Sequence, residues 1–267
     1  MKTIAFNKVR SLAFGALVTG LTAGLALPAM AAGEEVEIPH QSWSFSGPFG
    51  TFDRGQLQRG YKVYREVCSS CHSMELVKFR NLAEPGGPGF NEEQVKVIAA
   101  EYDITDGPDD AGDMFDRPGK PFDSFPSPFP NEKAARASNG GSYPPDFSVF
   151  AKARANGPDY IYAVLTGYEE EPPEHVELRE GMHYNHYFPG HQIAMAPPLS
   201  EELVDYTDGS PMTVDQYARD VASFLMWTAE PKLEQRKTLG LQVMIFLLVF
   251  AGLLYFTKQK IWRNVEH

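Results

Sequence analysis

The two cysteines of this chain lie close together, and a histidine follows the second one directly. The pentapeptide CSSCH, at 68–72, constrains the fold more than any other feature, because three chemistries are open to it and each needs different surroundings. A thioredoxin-type thiol pair needs a helix that starts at the first cysteine. A structural zinc site needs further ligands, and covalent attachment of haem uses both cysteines together with the histidine.

A helix is predicted in front of the pentapeptide, over 53–68. Asp53 suits the N-cap position. Apolar residues recur at helical spacing at Leu57, Tyr61 and Tyr64. Because this helix ends at the motif, its N-terminus cannot lower the pKa of the thiols, which argues against a redox-active pair.

A zinc site is the second interpretation of the motif. His183, His186 and His191 supply enough additional ligands by number. A histidine directly after Cys71, however, cannot readily join both cysteines around one tetrahedral ion. Haem attachment explains all three residues of the motif, because the two thiols add to the vinyl groups of haem and the adjacent imidazole becomes the proximal iron ligand.

The ligand on the other side of the iron would decide the chemistry. An open position allows reactions with O2 or peroxide, whereas a methionine or histidine closes it and leaves electron transfer. Met195, in the proline-restricted loop HQIAMAPPLS, is the favoured methionine, and the alternative is that it only fills a gap in the core. The rival ligands are Met182, Met212, His183, His186 and His191.

Two apolar stretches indicate a membrane protein. Residues 1–31 combine a basic start, an apolar run and a small-residue cleavage site, and they are predicted to be a signal peptide. Residues 238–256 contain no charge and are long enough to cross a bilayer as a helix. We therefore expect an exported domain over 32–237 and a cytoplasmic tail over 257–267.

Acidic residues dominate the expected exported domain. The formal net charge of the chain is −11, and loss of residues 1–31, which contain three basic residues and no acidic one, would make it −14. Such a surface repels nucleic acid and attracts basic partners. The acidic residues are concentrated at 101–116 and 168–180, where solvated loops are the simpler interpretation.

The exported domain is predicted to be mainly α and rich in loops. Pro and Gly are abundant, and no run alternates with the period of a strand. Further helices are predicted at 91–102, 146–155, 157–168 and 213–227. The stretch between the two apolar segments is long enough for one domain with its own core.

Several segments, in sequence order, resemble the cytochrome c1 family, the c-type haem subunits of cytochrome bc1 complexes. They include GYKVYREVCSSCHSM, KARANGPDYIYAVLTGY and YFPGHQIAMAPPL, and the similarity covers nearly the whole chain after the signal peptide. The signal peptide suggests a bacterial member. The resemblance implies a loop-rich, cytochrome c-like haem domain with one C-terminal transmembrane helix.

The resemblance also implies a set of haem-site residues. They are Cys68, Cys71, His72, Met195, Arg154, Tyr160, Asn139 and Pro145. The two cysteines would hold one haem c through two thioethers, with the adjacent histidine as proximal ligand and Met195 as sixth ligand. Arg154 and Tyr160 would lie near a haem propionate, and Asn139 and Pro145 would belong to the haem pocket. Some bacterial relatives secure the ligand loop with an extra disulfide, for which this chain has no further cysteines.

The function that the resemblance implies is electron transport without acid–base catalysis by this chain. The implied donor is the Rieske iron-sulfur protein and the implied acceptor is a soluble cytochrome c. Cytochrome b, the membrane and a dimeric complex are the other expected partners. The expected location is the cell inner membrane, crossed once, with the haem domain in the periplasm and the C-terminus in the cytoplasm. The alternatives are a haem enzyme with a displaceable sixth ligand and a zinc-binding membrane module.

Overall fold

Helices form most of the regular structure in residues 36–174 and 176–264, the part of the chain that the computed structural model describes. In chain order they are α1 (Arg54–Glu66), α2 (Glu92–Ala100), α3 (Glu132–Ser138), α4 (Phe150–Ala153), α5 (Gly157–Thr166), α6 (Val214–Ala229) and α7 (Leu233–Trp262). The prediction of a mainly α, loop-rich fold is confirmed. The predicted signal peptide, 1–31, lies outside the described residues.

The helix starts follow from side-chain caps. Asp53 accepts a hydrogen bond from the N–H of Gln56 at the start of α1, and Thr213 accepts one from the N–H of Gln216 at the start of α6. Asn91 forms a reciprocal capping box with Gln94 at the start of α2. Each cap satisfies a backbone donor that the helix leaves unpaired, which is why these sequence signals placed the helices well.

Helices α1 and α6 pack against each other at the centre of the domain. Gly60 makes this close approach possible, because a Cβ atom there would lie 2.1 Å from the backbone oxygen of Asp220. The Asp220 side chain, which is fully buried, accepts hydrogen bonds from Arg59 Nε at 2.9 Å and from the Tyr206 hydroxyl at 2.9 Å. The buried carboxylate is therefore paired, as burial of a charge requires.

Aromatic side chains fill the core beside this helix pair. The ring of Tyr64 lies 6.0 Å from that of Phe224 on α6 and 6.1 Å from that of Phe125, which follows the second strand. Phe125 also packs on Phe79 at 4.3 Å between ring centroids. Helix α6 contacts α4 and α5 as well, so it is the element around which the domain is assembled.

Two small antiparallel strand pairs were not predicted. Strand β1 (Asp103–Asp106) pairs with β2 (Phe115–Pro118), and β3 (His183–Tyr184) pairs with β4 (Gln192–Ile193). Strands of two to four residues are too short to show alternation in a sequence.

One predicted helix is shorter than expected, and one helix was not predicted. The helix predicted at 146–155 is only the single turn α4, because the Asp146 carboxylate accepts a hydrogen bond from the N–H of Ser148 and holds the preceding residues in a turn. Helix α3 was missed. Asn131 caps it through the N–H of Ala134, but a helix of seven residues between prolines and glycines leaves little periodic signal.

Helix α7 follows α6 after a short break at 230–232 and runs well beyond the predicted span, 238–256. It is long and apolar enough to cross a membrane. Leu233 in its first turn is buried against the domain, whereas the apolar side chains from Leu239 onwards are largely exposed. The additional turns carry the charged residues on either side of the predicted span.

Candidate haem-binding site

The CSSCH motif lies directly after α1. The chain passes from α1 into a 3-10 turn, Cys68–Ser70, and the N–H groups of Cys71 and His72 both bond to the Cys68 carbonyl, at 3.1 and 2.9 Å. Both cysteines are free, and each is partly buried as a whole residue. Burial raises the pKa of the Cys68 thiol to about 12, the opposite of what an activated redox thiol needs. This environment argues against the thioredoxin-type interpretation.

The orientation of His72 is set by a backbone carbonyl. Its Nδ1 lies 2.9 Å from the oxygen of Pro145, and since a carbonyl can only accept, Nδ1 carries the proton. This leaves the lone pair on Nε2 for a metal, which is the usual arrangement of a ligating histidine. Burial lowers the pKa of His72 and favours the neutral imidazole that a metal requires.

The His72 ring is also held from one side. It stacks on Phe147 with 4.0 Å between ring centroids and an angle of 13° between the planes. The Tyr64 hydroxyl donates to the His72 carbonyl at 3.2 Å, which ties the motif to α1. The ring is therefore fixed in both position and tilt.

Asp146 joins the segment after the motif to the segment around Pro145. Its Oδ2 accepts from the Ser73 hydroxyl at 2.8 Å and from the N–H of Glu75 at 2.9 Å, and its Oδ1 accepts from the N–H of Ser148 at 2.8 Å. The two segments also share a backbone hydrogen bond between Phe147 N–H and the Ser73 carbonyl, at 2.8 Å. We call this connection the Asp146 latch.

Sequence reasoning missed both Asp146 and Phe147 as site residues. The available signal was the run PPDFS, in which an aspartate two residues before a serine is typical of a local turn. The signal says nothing about what the carboxylate binds in the rest of the chain.

Among the predicted site residues, Pro145 accepts the hydrogen bond from His72 Nδ1 through its carbonyl. Asn139 ends helix α3, and its side-chain amide donates to the Ala135 carbonyl at 2.7 Å. A cleft lies between the motif and the segment that contains α3. The cleft is lined by Cys71, Ser73, Glu75, Ser127, Pro128, Phe129, Pro130, Asn131, Glu132, Ala135, Tyr143 and Pro144.

The loop that carries Met195 is fastened to the end of α5. The Tyr168 hydroxyl donates to the Met195 carbonyl at 3.1 Å. Asn185, which is fully buried, donates through its side chain to the Val164 carbonyl at 2.7 Å. These hydrogen bonds hold the loop without a disulfide. Asn185 and Tyr168 were not among the predicted site residues.

Among the rival ligands, His191 has a ring nitrogen, Nδ1, that is both buried and without a hydrogen-bond partner among the described residues. Its ring stacks on Tyr184 with 5.9 Å between centroids. His191 is thus the histidine of this loop that needs to be compared with Met195.

Arg154 and Tyr160 lie near each other on either side of the start of α5. The Arg154 guanidinium is exposed and sits 5.0 Å from the centre of the Phe150 ring. Burial raises the pKa of the Tyr160 hydroxyl, and the positive charge of Arg154 partly opposes that increase. Tyr160 is in turn close enough to Tyr168 to affect its pKa, so these residues and the Met195 loop occupy one region.

These residues fit a covalently attached haem. Two free thiols stand at the required spacing, and the imidazole beside them presents an unprotonated Nε2. Within residues 36–174 and 176–264, no group of three or more His, Cys, Asp or Glu side chains is placed to hold a metal ion. The zinc interpretation therefore finds no support in that part of the chain.

Known proteins resemble this chain over most of its length. Residues 43–265 match the model of the Cytochrome C1 family. Cytochrome b/c1 of Bradyrhizobium diazoefficiens is 58% identical over 244 residues, which cover 85% of this chain and 36% of that longer protein. Cytochrome c1 of Rhodospirillum rubrum is 48% identical over 247 residues, which cover 87% of this chain and 90% of the relative.

A plant mitochondrial protein is similar to the same extent. "Cytochrome c1 1, heme protein, mitochondrial" of Arabidopsis thaliana is 48% identical over 248 residues, which cover 91% of this chain and 78% of the relative. The family model spans the CSSCH motif, the Asp146 latch, the Met195 loop and the apolar helix α7. From this match and the arrangement of the motif, we conclude that the chain belongs to the Cytochrome C1 family.

Proposed function

We propose that this protein takes one electron from the Rieske iron-sulfur protein of a cytochrome bc1 complex and passes it to a soluble cytochrome c. As a member of its family the chain is a c-type haem protein and an electron-carrying subunit of that complex. The observation that supports the proposal best is the hydrogen bond from His72 Nδ1 to the Pro145 carbonyl, which leaves the Nε2 lone pair available to an iron ion.

Each site residue has a role in this proposal. Cys68 and Cys71 would hold the haem through two thioethers, and His72 and Met195 would ligate its iron. When bound, haem supplies an iron that gains and loses one electron, and a thioether ligand favours its reduced state relative to a second imidazole. Arg154 neutralises a propionate carboxylate, for which a guanidinium is well suited. Tyr160 would lie near the same propionate, and Asn139 and Pro145 would belong to the haem pocket.

The same proposal places the protein in its membrane. The domain over 32–237 lies in the periplasm after removal of residues 1–31, helix α7 crosses the inner membrane once, and the C-terminal tail lies in the cytoplasm. Cytochrome b is the neighbour of the anchor, and the whole complex is a dimer. The apolar length of α7 supports a single crossing. Basic residues flank the span on both sides and do not set its direction, so the orientation rests on the signal peptide expected at 1–31.

A reduced-minus-oxidised spectrum of the purified protein tests the proposal. We expect low-spin, six-coordinate haem that stays attached after denaturation. Replacement Met195→Leu should lower the midpoint potential by on the order of a tenth of a volt or more, since axial ligands set haem potentials over about 0.8 V. It should also produce a high-spin spectrum.

The matched variant is His191→Gln, because His191 carries the unpartnered ring nitrogen in the same loop. We expect its spectrum and potential to stay close to those of the unmodified protein. If His191→Gln changes the spin state and Met195→Leu does not, the ligand assignment is wrong. High-spin haem in the unmodified protein would favour an enzyme with an open iron position instead.

A further inference from the structure

Phe49 is the most exposed large apolar side chain in the described part of the chain, with 76% of its surface accessible. It lies in the turn SGPFG, residues 46–50, between α1 and the buried Trp43 and Phe45. Single exposed apolar residues are common on soluble surfaces and need no explanation by themselves. The position of this turn relative to α7 gives Phe49 its significance.

Backbone hydrogen bonds close the turn and leave the Phe49 side chain exposed. Ser46 N–H bonds to the Trp43 carbonyl at 3.0 Å, and Thr51 N–H bonds to the Ser44 carbonyl at 3.1 Å. A Cβ atom at Gly50 would lie 2.1 Å from the Ser46 oxygen, so the turn is closed as tightly as its backbone allows. The rigid backbone therefore presents Phe49 outward.

The first turns of α7 grip this same segment. Lys237 Nζ donates to the Phe45 carbonyl at 2.6 Å and to the Gly50 carbonyl at 2.9 Å. One turn earlier, Glu234 Oε1 accepts from the N–H of Phe52 at 2.9 Å. Lys237 thus bonds to carbonyls at both ends of the turn, and Glu234 bonds to the chain just after it.

Lys237 is also the last charged residue before the uncharged span, which begins at Thr238 and continues to Thr257. Gly50, whose carbonyl Lys237 binds, is adjacent to Phe49, and neighbouring Cα atoms are about 3.8 Å apart. Phe49 therefore lies beside the start of the apolar span of α7. Phe side chains on segments that lie at a membrane surface are buried at the boundary between headgroups and acyl chains.

We propose that the 46–50 turn is a second membrane contact, with Phe49 inserted among the lipid headgroups beside α7. The occupant of this surface is lipid, because the turn is continuous with the start of the spanning helix and exposes no charged side chain of its own. The contact gives the haem domain a second point of attachment to the bilayer, beside the α7 helix that Lys237 and Glu234 already join to the domain. The inference concerns the membrane anchor and does not depend on the proposed electron donor or acceptor.

Site-directed spin labelling of the full-length holoprotein in phosphatidylcholine vesicles tests the contact. In the holoprotein both native cysteines are engaged by haem, so Phe49→Cys supplies one reactive thiol. We expect the label at 49 to show a several-fold higher ratio of oxygen accessibility to accessibility for a water-soluble nickel chelate than a reference label. The reference is Met114→Cys, at a side chain that is 60% exposed in the loop between β1 and β2.

A second variant tests the role of Lys237 in holding the turn. Lys237→Met in the Phe49→Cys background removes both hydrogen bonds to the turn, so the label should move towards water while the haem spectrum stays unchanged. Equal accessibility ratios at 49 and 114 in vesicles would overturn the proposal. So would loss of lipid access at 49 in the assembled complex, because another subunit would then cover the turn.

Discussion

At the scale of single residues, the site depends on partners that lie far from the motif in sequence. The Asp146 carboxylate accepts from Ser73, Glu75 and Ser148, and it thereby keeps the Pro145 carbonyl opposite His72. Its role is to position the ligand, since it does not touch the Nε2 atom that would meet the iron. The latch is a positioning device made of ordinary turn hydrogen bonds.

We expect Asp146→Ala to lower the free energy of unfolding by about 2–4 kcal/mol, because hydrogen bonds to a charged acceptor contribute about 1.5–3 kcal/mol each and are not additive. Urea unfolding of the detergent-solubilised protein measures this. The variant should also shift the midpoint potential, which a purely structural role elsewhere would not do. Asp110→Ala, in the exposed hairpin loop, is the control and should change neither quantity.

Sequence reasoning found the motif and the candidate ligand but not their supports, for a physical reason. Cys68, Cys71 and His72 act as neighbours in the chain, so their spacing is visible. Ser73 and Asp146 meet across 73 positions, and only the folded chain shows that contact. Pro145 was selected by resemblance, and its carbonyl, which every residue possesses, carries the interaction with His72.

At the scale of elements, the contact between α1 and α6 is the central helix–helix packing of the domain. Gly60 allows it, and the buried pairing of Arg59 with Asp220 makes it specific. The helices that were predicted well are those with a side-chain cap and a periodic apolar face. The elements that were missed, such as α3 and the four short strands, depend on contacts with the rest of the domain more than on local periodicity.

The replacement Gly60→Ala tests this packing. The new methyl group would meet the backbone oxygen of Asp220, which cannot move away as a flexible side chain could. We expect a loss of about 3 kcal/mol in the free energy of unfolding, at the upper end for an overpacked core. On the same helix, Gly55→Ala faces only side-chain atoms at 3.3 Å and beyond, and it should be close to neutral. Equal losses in the two variants would contradict the packing explanation.

The acid stability of the domain depends in part on the turn that follows Tyr206. Hydrogen bonds from the N–H of Ser210 and from Arg59 lower the pKa of Asp208 from 3.8 to about 2. A carboxyl group with a lowered pKa in the folded state stabilises the protein above its unfolded pKa, and this contribution is lost as the pH falls from about 4 to about 2. Because nearly half of the Asp208 side chain is exposed, solvent reduces the effect.

We therefore expect Asp208→Asn to be less stable than the unmodified protein at about pH 5 and to differ less from it at about pH 2. Urea unfolding at the two pH values measures the difference. Asp110→Asn serves as the reference for the loss of one exposed carboxylate. A difference that is the same at both pH values would mean that Asp208 contributes nothing through ionisation.

At the scale of the whole molecule, the net negative charge is the property that would attract a basic electron-transfer partner from a distance. The formal net charge is −11, and hairpin β1–β2 carries an acidic loop that includes Asp109, Asp110 and Asp113. Opposite charges accelerate association, and added salt screens them over a Debye length of about 10 Å at 0.1 M. Charge of this kind acts at long range and requires no particular contact.

We expect the rate of electron transfer to a basic cytochrome c to fall several-fold when ionic strength rises from about 0.01 to about 0.2 M. Stopped-flow absorbance of the reduced protein mixed with the oxidised acceptor measures the rate. An uncharged small-molecule oxidant is the control and should react at a rate independent of salt. A salt-independent rate with the basic protein would contradict electrostatic steering.

The pairing of α1 with α6 also has a consequence for the order in which the protein matures. Arg59 and Asp220 are 161 residues apart along the chain, so α1 lacks its main helical partner, α6, until nearly the entire domain has been synthesised. Closing so long a loop is slow relative to local helix formation. We therefore expect Cys68 and Cys71, which directly follow α1, to be more accessible before α6 has packed against α1 than afterwards. Helix α6, directly before α7, thus completes the core around α1 late in the synthesis of the domain.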